Sequence, residues 1–375
     1  MKIKPLTAYF IALLITCPIL SARESIPARW EPLDNLATKV VASPNIPGGS
    51  VCVVENGKVL FNQAYGGTYA NNTRRWEKNS PVYIASMTKP ITSTLVAVLA
   101  GEGKLAFDDP ISKYMPEYGR LKMRKSGTEV RSPTIAECLS HTAGFPGGTM
   151  GRLPDDSPIR NSGQALVAII LAKQGLAAKP GTKYAYTFRG YAAVARVVEI
   201  VTGKRFSEVL DEKLLKPLGM SDTTFEPKLE LMKRHPRYAK HIADRDDEEI
   251  SAYLEKRKRQ FKGFVNTAGA LISTSDDLVK FYRFHSLRGK LAGNQLIPEK
   301  VLAKLYEKQP GSTGYGLGFK LYGDAVLGHG GASGTIGVVD LKNDRVVVIL
   351  TQAGSTAARP LTRRGMQLAL EILAK

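Results

Sequence analysis

Residues 83–90 read Tyr-Ile-Ala-Ser-Met-Thr-Lys-Pro and place a serine and a lysine, Ser86 and Lys89, three positions apart. The apolar run 91–99 that follows, closed by two glycines, predicts a buried helix with Ser86 in its first turn. Residues three apart share one face of a helix, so the Lys89 amine is expected beside the Ser86 hydroxyl. An unprotonated amine in that place would activate the serine as a nucleophile.

The Ser-x-x-Lys pattern alone is not specific. About one or two copies are expected by chance in a chain of this length, usually at the solvated start of a helix. The rest of the sequence therefore decides whether Ser86 is a nucleophile.

The first 22 residues have the features of a cleaved export signal. Residues 1–4 are basic, residues 6–15 are apolar apart from one threonine, and the small pair Ser21-Ala22 ends the segment. They predict a signal peptide over 1–22 and a mature protein that is periplasmic or secreted. A lipid anchor on Cys17 is a weaker alternative, because threonine before the cysteine fits a lipoprotein cleavage site poorly. No later stretch approaches about 20 uninterrupted apolar residues, so no transmembrane segment is expected after leader removal.

The composition favours a large folded domain with a basic surface. The chain has 375 residues, of which 43% are hydrophobic, and a formal net charge of +19. Its basic residues are scattered and no nucleic-acid-binding motif is present, so no nucleic-acid partner is expected, whereas an anionic cell-envelope surface is a candidate partner. Cys52 and Cys138 lie in apolar contexts and are expected to be buried thiols, with a disulfide between them left open.

Strand patterns lie near both ends of the chain and helical patterns between them. Helical spacing covers residues 30–41, 134–139, 164–176, 190–202, 276–285 and 360–373. Strands are predicted at 48–55, 58–65, 315–321, 325–327, 335–341 and 345–351, the first two as a hairpin around Asn56-Gly57. Residues 226–262 are dense in charge and predict an exposed insertion or lid. We expect an α/β (mixed α+β) fold in a single domain over 23–375, with flanking helices, an antiparallel sheet lobe from both chain ends (26–83 and 264–375) and an inserted helical lobe (84–263).

Several short motifs occur in a fixed order along the chain. They are Ile84–Lys89, Asp108–Tyr114, Leu139–Gly144, Pro180–Thr182, Tyr184–Tyr186, Ala268–Ser273 and Gly328–Gly331. Together and in this order they resemble serine β-lactamases of the class C type, with the related D,D-peptidases and esterases. The resemblance runs from about Trp30 to Lys375 and implies a β-lactamase/transpeptidase-like fold.

The resemblance implies a role for each matching residue. Ser86 is implied as the nucleophile that becomes acylated, Lys89 as its proton partner and Tyr186 as a proton relay to the leaving group. The sequence His329-Gly330-Gly331 matches the third motif, on the strand that lines the substrate pocket, and the N–H of Ala332 would pair with the Ser86 N–H in an oxyanion hole.

The same residues also have plainer interpretations. By itself, Tyr186 is typical of a core tyrosine bonded to backbone, and His329 of a residue that ends a strand. His141, in Ser140-His141-Thr142, is predicted to orient a loop rather than to touch substrate.

Two departures from the family pattern bear on the substrate. Phe188 stands where these enzymes usually have an asparagine, and His329 replaces a cation that would hold the carboxylate of a β-lactam. Phe188 is equally suited to line an apolar acyl pocket. We therefore expect an exported, cofactor-independent serine hydrolase acting on a small ester, amide or peptide, with an esterase or D-amino-acid peptidase favoured. A β-lactamase or D,D-carboxypeptidase is the first alternative, and a non-catalytic penicillin- or cell-wall-binding module is the second.

Overall fold

The computed structural model describes most of the chain after the predicted signal peptide. The described residues are 25–67, 75–148, 163–236, 263–312 and 314–375, with 248–249, 251–252 and 254–255. The signal peptide predicted over 1–22, with Cys17, and most of the 226–262 segment lie outside them. No helix in these ranges combines the length and the apolar character needed to cross a bilayer.

One antiparallel sheet is built from strands near both chain ends, as predicted. The strands are β1 (Gly48–Glu55), β2 (Lys58–Gly66), β3 (Val82–Tyr83), β4 (Ile272–Ser273), β5 (Lys290–Leu291), β6 (Asn294–Gln295), β7 (Lys320–Leu321), β8 (Val326–Gly331), β9 (Thr335–Asp340) and β10 (Arg345–Thr351). Six of them form the main sheet in the order β2-β1-β10-β9-β8-β7. The β1–β2 hairpin turns at Asn56 and Gly57, both at positive φ, which is why this pair suits a two-residue turn.

Helices cover both faces of the sheet. The α-helices are α1 (Glu31–Val41), α2 (Thr88–Gly101), α3 (Ile135–Leu139), α4 (Gln164–Lys173), α5 (Arg189–Thr202), α6 (Phe206–Leu210), α7 (Leu229–Arg234), α8 (Ser275–Ser286), α9 (Glu299–Ala303), α10 (Ser355–Arg359) and α11 (Met366–Leu373). Short 3-10 turns lie at Ala28–Trp30, Ala85–Met87, Ile111–Lys113 and Pro116–Arg120, and π-helical segments at Asp211–Leu215 and Pro360–Gly365.

The sheet divides the core in two, because alternate side chains of a strand point to opposite faces. Val51 and Val53 of β1 pack in a cluster with α1 and the C-terminal helix. Cys52 and Val54 pack on the opposite side, in the larger cluster that contains α2 and the helices of the middle of the chain. The division of the chain into lobes at 26–83, 84–263 and 264–375 stays a prediction.

Two element boundaries differ from those predicted at the C-terminal end. The strand predicted over 315–321 is reduced to β7, whereas the one predicted over 325–327 continues to Gly331. A turn explains the shorter strand: Gly318 has a φ of +88°, and Tyr315 bridges back to Lys320, so the residues before Lys320 do not continue β7.

Part of the 226–262 segment is buried, contrary to its predicted exposure as an insertion or lid. Leu231 and Met232 of α7 pack against Ile272 of β4, and His235 is fully buried. This short helix carries many charged residues, so the composition of the segment does not reveal the apolar face.

Cys52 and Cys138 are both buried free thiols, as expected, and form no disulfide. Burial raises the pKa of Cys52 to about 12, and it raises the pKa of Cys138 as well. Neither thiol is therefore a nucleophile at neutral pH.

Candidate active site

Ser86 lies in a tight turn at the start of α2. It belongs to the 3-10 turn Ala85–Met87, just before the regular helix rather than within it, with Ala85 at a φ of +46°. Thr88 fixes this turn by donating its hydroxyl hydrogen to the Ala85 carbonyl at 2.7 Å. Ser86 is thereby held at the end of the helix where backbone N–H groups favour negative charge.

The three residues implied as catalytic meet at one point. Lys89 Nζ lies 3.1 Å from Ser86 Oγ, and the Tyr186 hydroxyl lies 2.7 Å from the same oxygen. Lys89 also donates to the carbonyl oxygen of Ala268 at 2.7 Å, which orients the amine toward the serine. The structure therefore brings together residues 86, 89 and 186, as the sequence predicts.

Lys89 is placed to be a neutral amine. Its side chain is 2% exposed, and burial, followed by the charge of Lys320, holds its pKa well below 10.5. The ring faces of Tyr186, at 4.5 Å, and Tyr191, at 5.6 Å, favour the charged form. That attraction amounts to about 2 kcal/mol, whereas the loss of hydration costs several kcal/mol, so burial prevails.

Tyr186 keeps its proton over the physiological range. Burial raises its pKa to about 12, although the hydrogen bond with Ser86 acts in the opposite direction. Ser86 Oγ is therefore in contact with a base, the neutral amine of Lys89, and with an acid, the protonated phenol of Tyr186. Lys89 can accept the Ser86 proton through its lone pair while Tyr186 donates to Oγ.

The turn after β8 and the start of β9 are attached to the residues just before Ser86. Thr335 donates its hydroxyl hydrogen to the Ile84 carbonyl at 3.2 Å, and Ser333 donates to the Tyr83 carbonyl. Gly331 lies so close that a Cβ there would be 2.3 Å from the Ile84 oxygen. Ala332 follows directly, and no acceptor bonds its N–H in the described part of the chain. An oxyanion hole formed by the Ser86 and Ala332 N–H groups stays a prediction, and this attachment is the arrangement that it requires.

His329 is a buried member of β8. It is 1% exposed, its Nε2 lies 3.0 Å from the Tyr315 hydroxyl and its Nδ1 lies 2.6 Å from the Gly330 carbonyl. Burial, and then the charges of Lys89 and Lys320, hold its pKa well below 6.5, so the ring is neutral. The predicted contact of this side chain with substrate is at odds with that burial, since both ring nitrogens already have neighbours within the fold.

Phe188 is also buried and belongs to the larger core cluster. The Arg189 guanidinium carbon lies 5.2 Å from the centre of its ring. An apolar ring thus occupies the motif position of the family's asparagine, and its contact with substrate stays a prediction. Gly330, the middle residue of the third motif, pairs with Ile336 of β9.

Three neighbours of the site were not foreseen from the sequence as site residues. The ring of Tyr191 lies 5.6 Å from Lys89 Nζ, and that of Tyr315 lies against His141. Lys320 contributes a positive charge that lowers the pKa of Lys89. No local pattern marks Tyr315 or Lys320, because Tyr315 reaches the site through its 3.0 Å contact with His329 and Lys320 through the β7–β8 pairing. Among the described residues, no group of three or more His, Cys, Asp or Glu side chains is arranged to hold a metal ion.

The fold, with a serine in contact with a buried lysine and a tyrosine, is that of a serine hydrolase. The model of the Beta-lactamase family matches residues 33–371, nearly the whole described chain. The chain belongs to the β-lactamase family.

The curated relatives include a bacterial peptidase. The chain is 30% identical, over 199 residues, to the D-alanyl-D-alanine-carboxypeptidase/endopeptidase AmpH of Escherichia coli (strain K12), covering 52% of this chain and 49% of that protein. It spans 38% to 49% of the length of the curated relatives that it matches.

Solved structures share the fold over nearly the full length. EstCE1, a hydrolase with promiscuous acyltransferase activity, superposes with a TM-score of 0.73 at 16% identity, covering 92% of this chain and 98% of that one. A family VIII carboxylesterase superposes with a TM-score of 0.68 at 20% identity, covering 93% and 99%. At such identities these likenesses establish the fold alone.

Proposed function

We propose that this protein is an exported serine hydrolase that cleaves small esters or D-amino-acid peptides through an acyl-enzyme on Ser86. The observation that carries the proposal is the contact of Ser86 Oγ with both Lys89, at 3.1 Å, and Tyr186, at 2.7 Å. An amine that burial keeps neutral is a base at neutral pH, whereas a solvated lysine is not.

In the acylation step, Ser86 Oγ attacks the substrate carbonyl as Lys89 accepts its proton. The carbonyl oxygen gains negative charge, which the Ser86 and Ala332 N–H groups stabilise. When the bond to the leaving group breaks, Tyr186 donates its proton to that group and regains one from the Lys89 ammonium. The proton lost by Ser86 thus ends on the leaving group, and Oγ carries the acyl chain.

In the deacylation step, water replaces the leaving group and the same residues act in reverse. Lys89 and Tyr186 withdraw a proton from water as its oxygen attacks the acyl carbon. The Ser86–acyl bond breaks, and Oγ recovers a proton as the carboxylic acid leaves.

The residues at positions 188 and 329 favour an esterase or D-amino-acid peptidase over a β-lactamase. Phe188 supplies no amide for an acylamide side chain. The neutral, buried His329 supplies no cation for a β-lactam carboxylate. Relatives named as a carboxylesterase and as a D-alanyl-D-alanine-carboxypeptidase agree with acyl transfer to either kind of substrate. A D,D-carboxypeptidase is therefore the nearest alternative.

Export rests on the first 22 residues alone, whose basic start, apolar run and small end favour a signal peptide. A mature protein of high positive charge would also suit the anionic surface of a cell envelope.

Intact mass, followed over time after adding an activated ester or a penicillin, tests the mechanism. We expect the ester to give a transient adduct that Ser86→Ala abolishes. Ser93→Ala, which changes a buried serine of the same helix, is the matched control and should keep the adduct.

Each other outcome points elsewhere. Decay of adducts from both reagents would favour a β-lactamase, and a lasting penicillin adduct would favour a binding module. An adduct that survives Ser86→Ala would overturn the proposed nucleophile.

A further inference from the structure

His141 forms hydrogen bonds with both sequence neighbours of the relay tyrosine. Its carbonyl oxygen accepts the N–H of Ala185 at 2.8 Å, and its Nδ1 accepts the N–H of Thr187 at 3.2 Å. These partners lie on either side of Tyr186. One residue, more than 40 positions earlier in the chain, therefore holds the backbone before and after the catalytic phenol.

Further contacts hold Tyr186 itself. Its carbonyl oxygen accepts the N–H of Gly148 at 2.8 Å, and its ring centre lies 4.4 Å from that of His141. The imidazole is 1% exposed and also contacts the rings of Tyr191 and Tyr315. The position of the Tyr186 hydroxyl thus depends on a ring that is itself enclosed by aromatic side chains.

The arrangement carries two costs to stability. His141 has a φ of +64°, in the left-handed region, which strains a residue other than glycine. Because Nδ1 accepts the Thr187 N–H, the neutral ring carries its hydrogen on Nε2, which has no hydrogen-bond partner among the described residues. An unpartnered buried donor lowers the stability of the fold further.

A strained residue with an unpartnered donor points to function rather than to stability. We infer that His141 is a positioning residue, which acts through Tyr186 to hold its hydroxyl in line with Ser86 Oγ and the departing group. The inference rests on the proposed function, since it assigns Tyr186 the proton transfer to the leaving group.

This role makes the effect of His141 depend on the leaving group. An alkyl alcohol is a poor leaving group that needs a proton as it departs, whereas a nitrophenolate leaves without one. Displacing the Tyr186 hydroxyl would slow the alkyl ester far more than the aryl ester of the same acid. A general loosening of the fold would slow both equally.

The chain offers a matched pair of substitutions. In His141→Asn the side-chain oxygen occupies the place of Nδ1 and can accept the Thr187 N–H, and asparagine tolerates the left-handed backbone. In His141→Leu a methyl group of similar position accepts nothing. We expect His141→Leu to lower kcat about 100-fold for the alkyl ester but only about tenfold for the aryl ester. KM should stay nearly unchanged for both. His141→Asn should recover most of that loss.

Two further variants keep the outcome readable. His141→Gly relieves the backbone strain and removes the acceptor, so it should show the same dependence on leaving group even if His141→Leu does not fold. Ser140 is a buried neighbour in the same loop, and its hydroxyl forms a hydrogen bond with that of Thr142. Ser140→Ala should slow the hydrolysis of both esters equally or of neither.

A double-mutant cycle with Tyr186→Phe provides the decisive test. If His141 acts through Tyr186, His141→Leu costs little further in the Tyr186→Phe background. Additive losses, or equal losses with both esters, would overturn the inference. Should Ser86→Ala and Tyr186→Phe both stay fully active, the proposed function itself would fail instead.

Discussion

The two faces of the central sheet use burial in different ways. On the face covered by α1 and α11, the buried side chains are mainly apolar and include a polar pair in which Tyr65 donates to Asp34 at 2.8 Å. On the opposite face lie the buried ionisable groups Lys89, His141 and His329. Burying apolar surface stabilises the fold, whereas burying an amine or an imidazole costs free energy and changes its pKa.

The comparison separates two kinds of buried residue. Substituting the apolar residues of the first face should lower stability and change turnover little. Substituting the ionisable residues of the second face should lower turnover and change stability little. The following predictions try to break that separation, beginning with the largest expected effect.

Replacing Lys89 with methionine is expected to abolish turnover and to leave the protein at least as stable. Loss of the base should lower kcat/KM by about 10⁴-fold or more. The pKa of Lys89 is depressed in the fold, so keeping its amine buried costs free energy at every pH below its ordinary pKa of 10.5. Methionine fills a similar volume without that cost. Ester hydrolysis and thermal unfolding measure the two effects.

Lys113→Met is the control for this substitution, because it removes an exposed lysine that pairs with Asp109. It should leave hydrolysis unchanged. A Lys89→Met protein that loses both activity and several degrees of Tm would contradict the separation.

The two glycines of the third motif allow a finer test of the catalytic face. A Cβ at Gly331 would lie 2.3 Å from the Ile84 oxygen and 2.2 Å from Thr335 Oγ1, whereas at Gly330 the nearest atom is 3.5 Å away. Gly331→Ala should therefore push the Ala332 N–H away from Ser86 and lower kcat about 10²- to 10³-fold, the effect of losing one oxyanion donor.

The paired variant Gly330→Ala adds the same methyl group at a position where the nearest contact has an ordinary length. The fall in kcat should therefore be less than about a tenth of that expected for Gly331→Ala. Steady-state kinetics on one ester compare the two. Equal losses would mean that the end of β8 does not set the oxyanion position through its contact with Ile84.

The sequence predicts the parts of the site that depend on local spacing. Lys89 follows Ser86 by three positions, so helical geometry alone places the two together. Tyr186 requires the ordered motifs, because it lies 100 positions from its partner.

Other features depend on contacts that no local pattern records. The hydrogen bond from the Thr187 N–H to His141 joins residues 46 positions apart. The positive charge of Lys320 is brought to the site by the pairing of β7 with β8. The strand predicted over 315–321 breaks at a turn, in which Gly318 has a φ of +88° and Tyr315 bridges back to Lys320. Alternating hydrophobicity does not report such a turn, so the sequence predicts too long a strand at this sheet edge.

On the opposite face, Leu33→Ala should separate stability from activity. Leu33 of α1 is fully buried, and truncating it removes apolar contacts and leaves a cavity. The expected loss is about 2 to 5 kcal/mol in the free energy of unfolding, with kcat of the folded enzyme within about twofold of the parent.

Leu166→Ala, at a leucine that is 49% exposed, is the matched control and should change the unfolding free energy by less than about 0.5 kcal/mol. Denaturant unfolding and kinetics at low temperature test both variants. A large fall in kcat for folded Leu33→Ala would show that this face also shapes the site.

The smallest expected effect concerns Lys320, whose charge lowers the pKa of Lys89. Because Lys89 must be neutral to accept the Ser86 proton, kcat/KM should rise with pH through the Lys89 pKa. Tyr186, with a pKa of about 12, would limit activity only at much higher pH. Lys320→Gln removes a like charge, so protonated Lys89 becomes easier to form and the acid limb moves to higher pH.

We expect a displacement of about half a pH unit, or about threefold lower kcat/KM on the acid limb, as suits a partly solvated neighbouring charge. Lys320→Arg should keep the parent profile. Lys290→Gln, which removes an exposed lysine of the β5–β6 hairpin, should do the same. A displacement toward lower pH would mean that Lys320 stabilises the Lys89 ammonium through intervening groups. The charge on the sheet edge would then oppose burial rather than add to it.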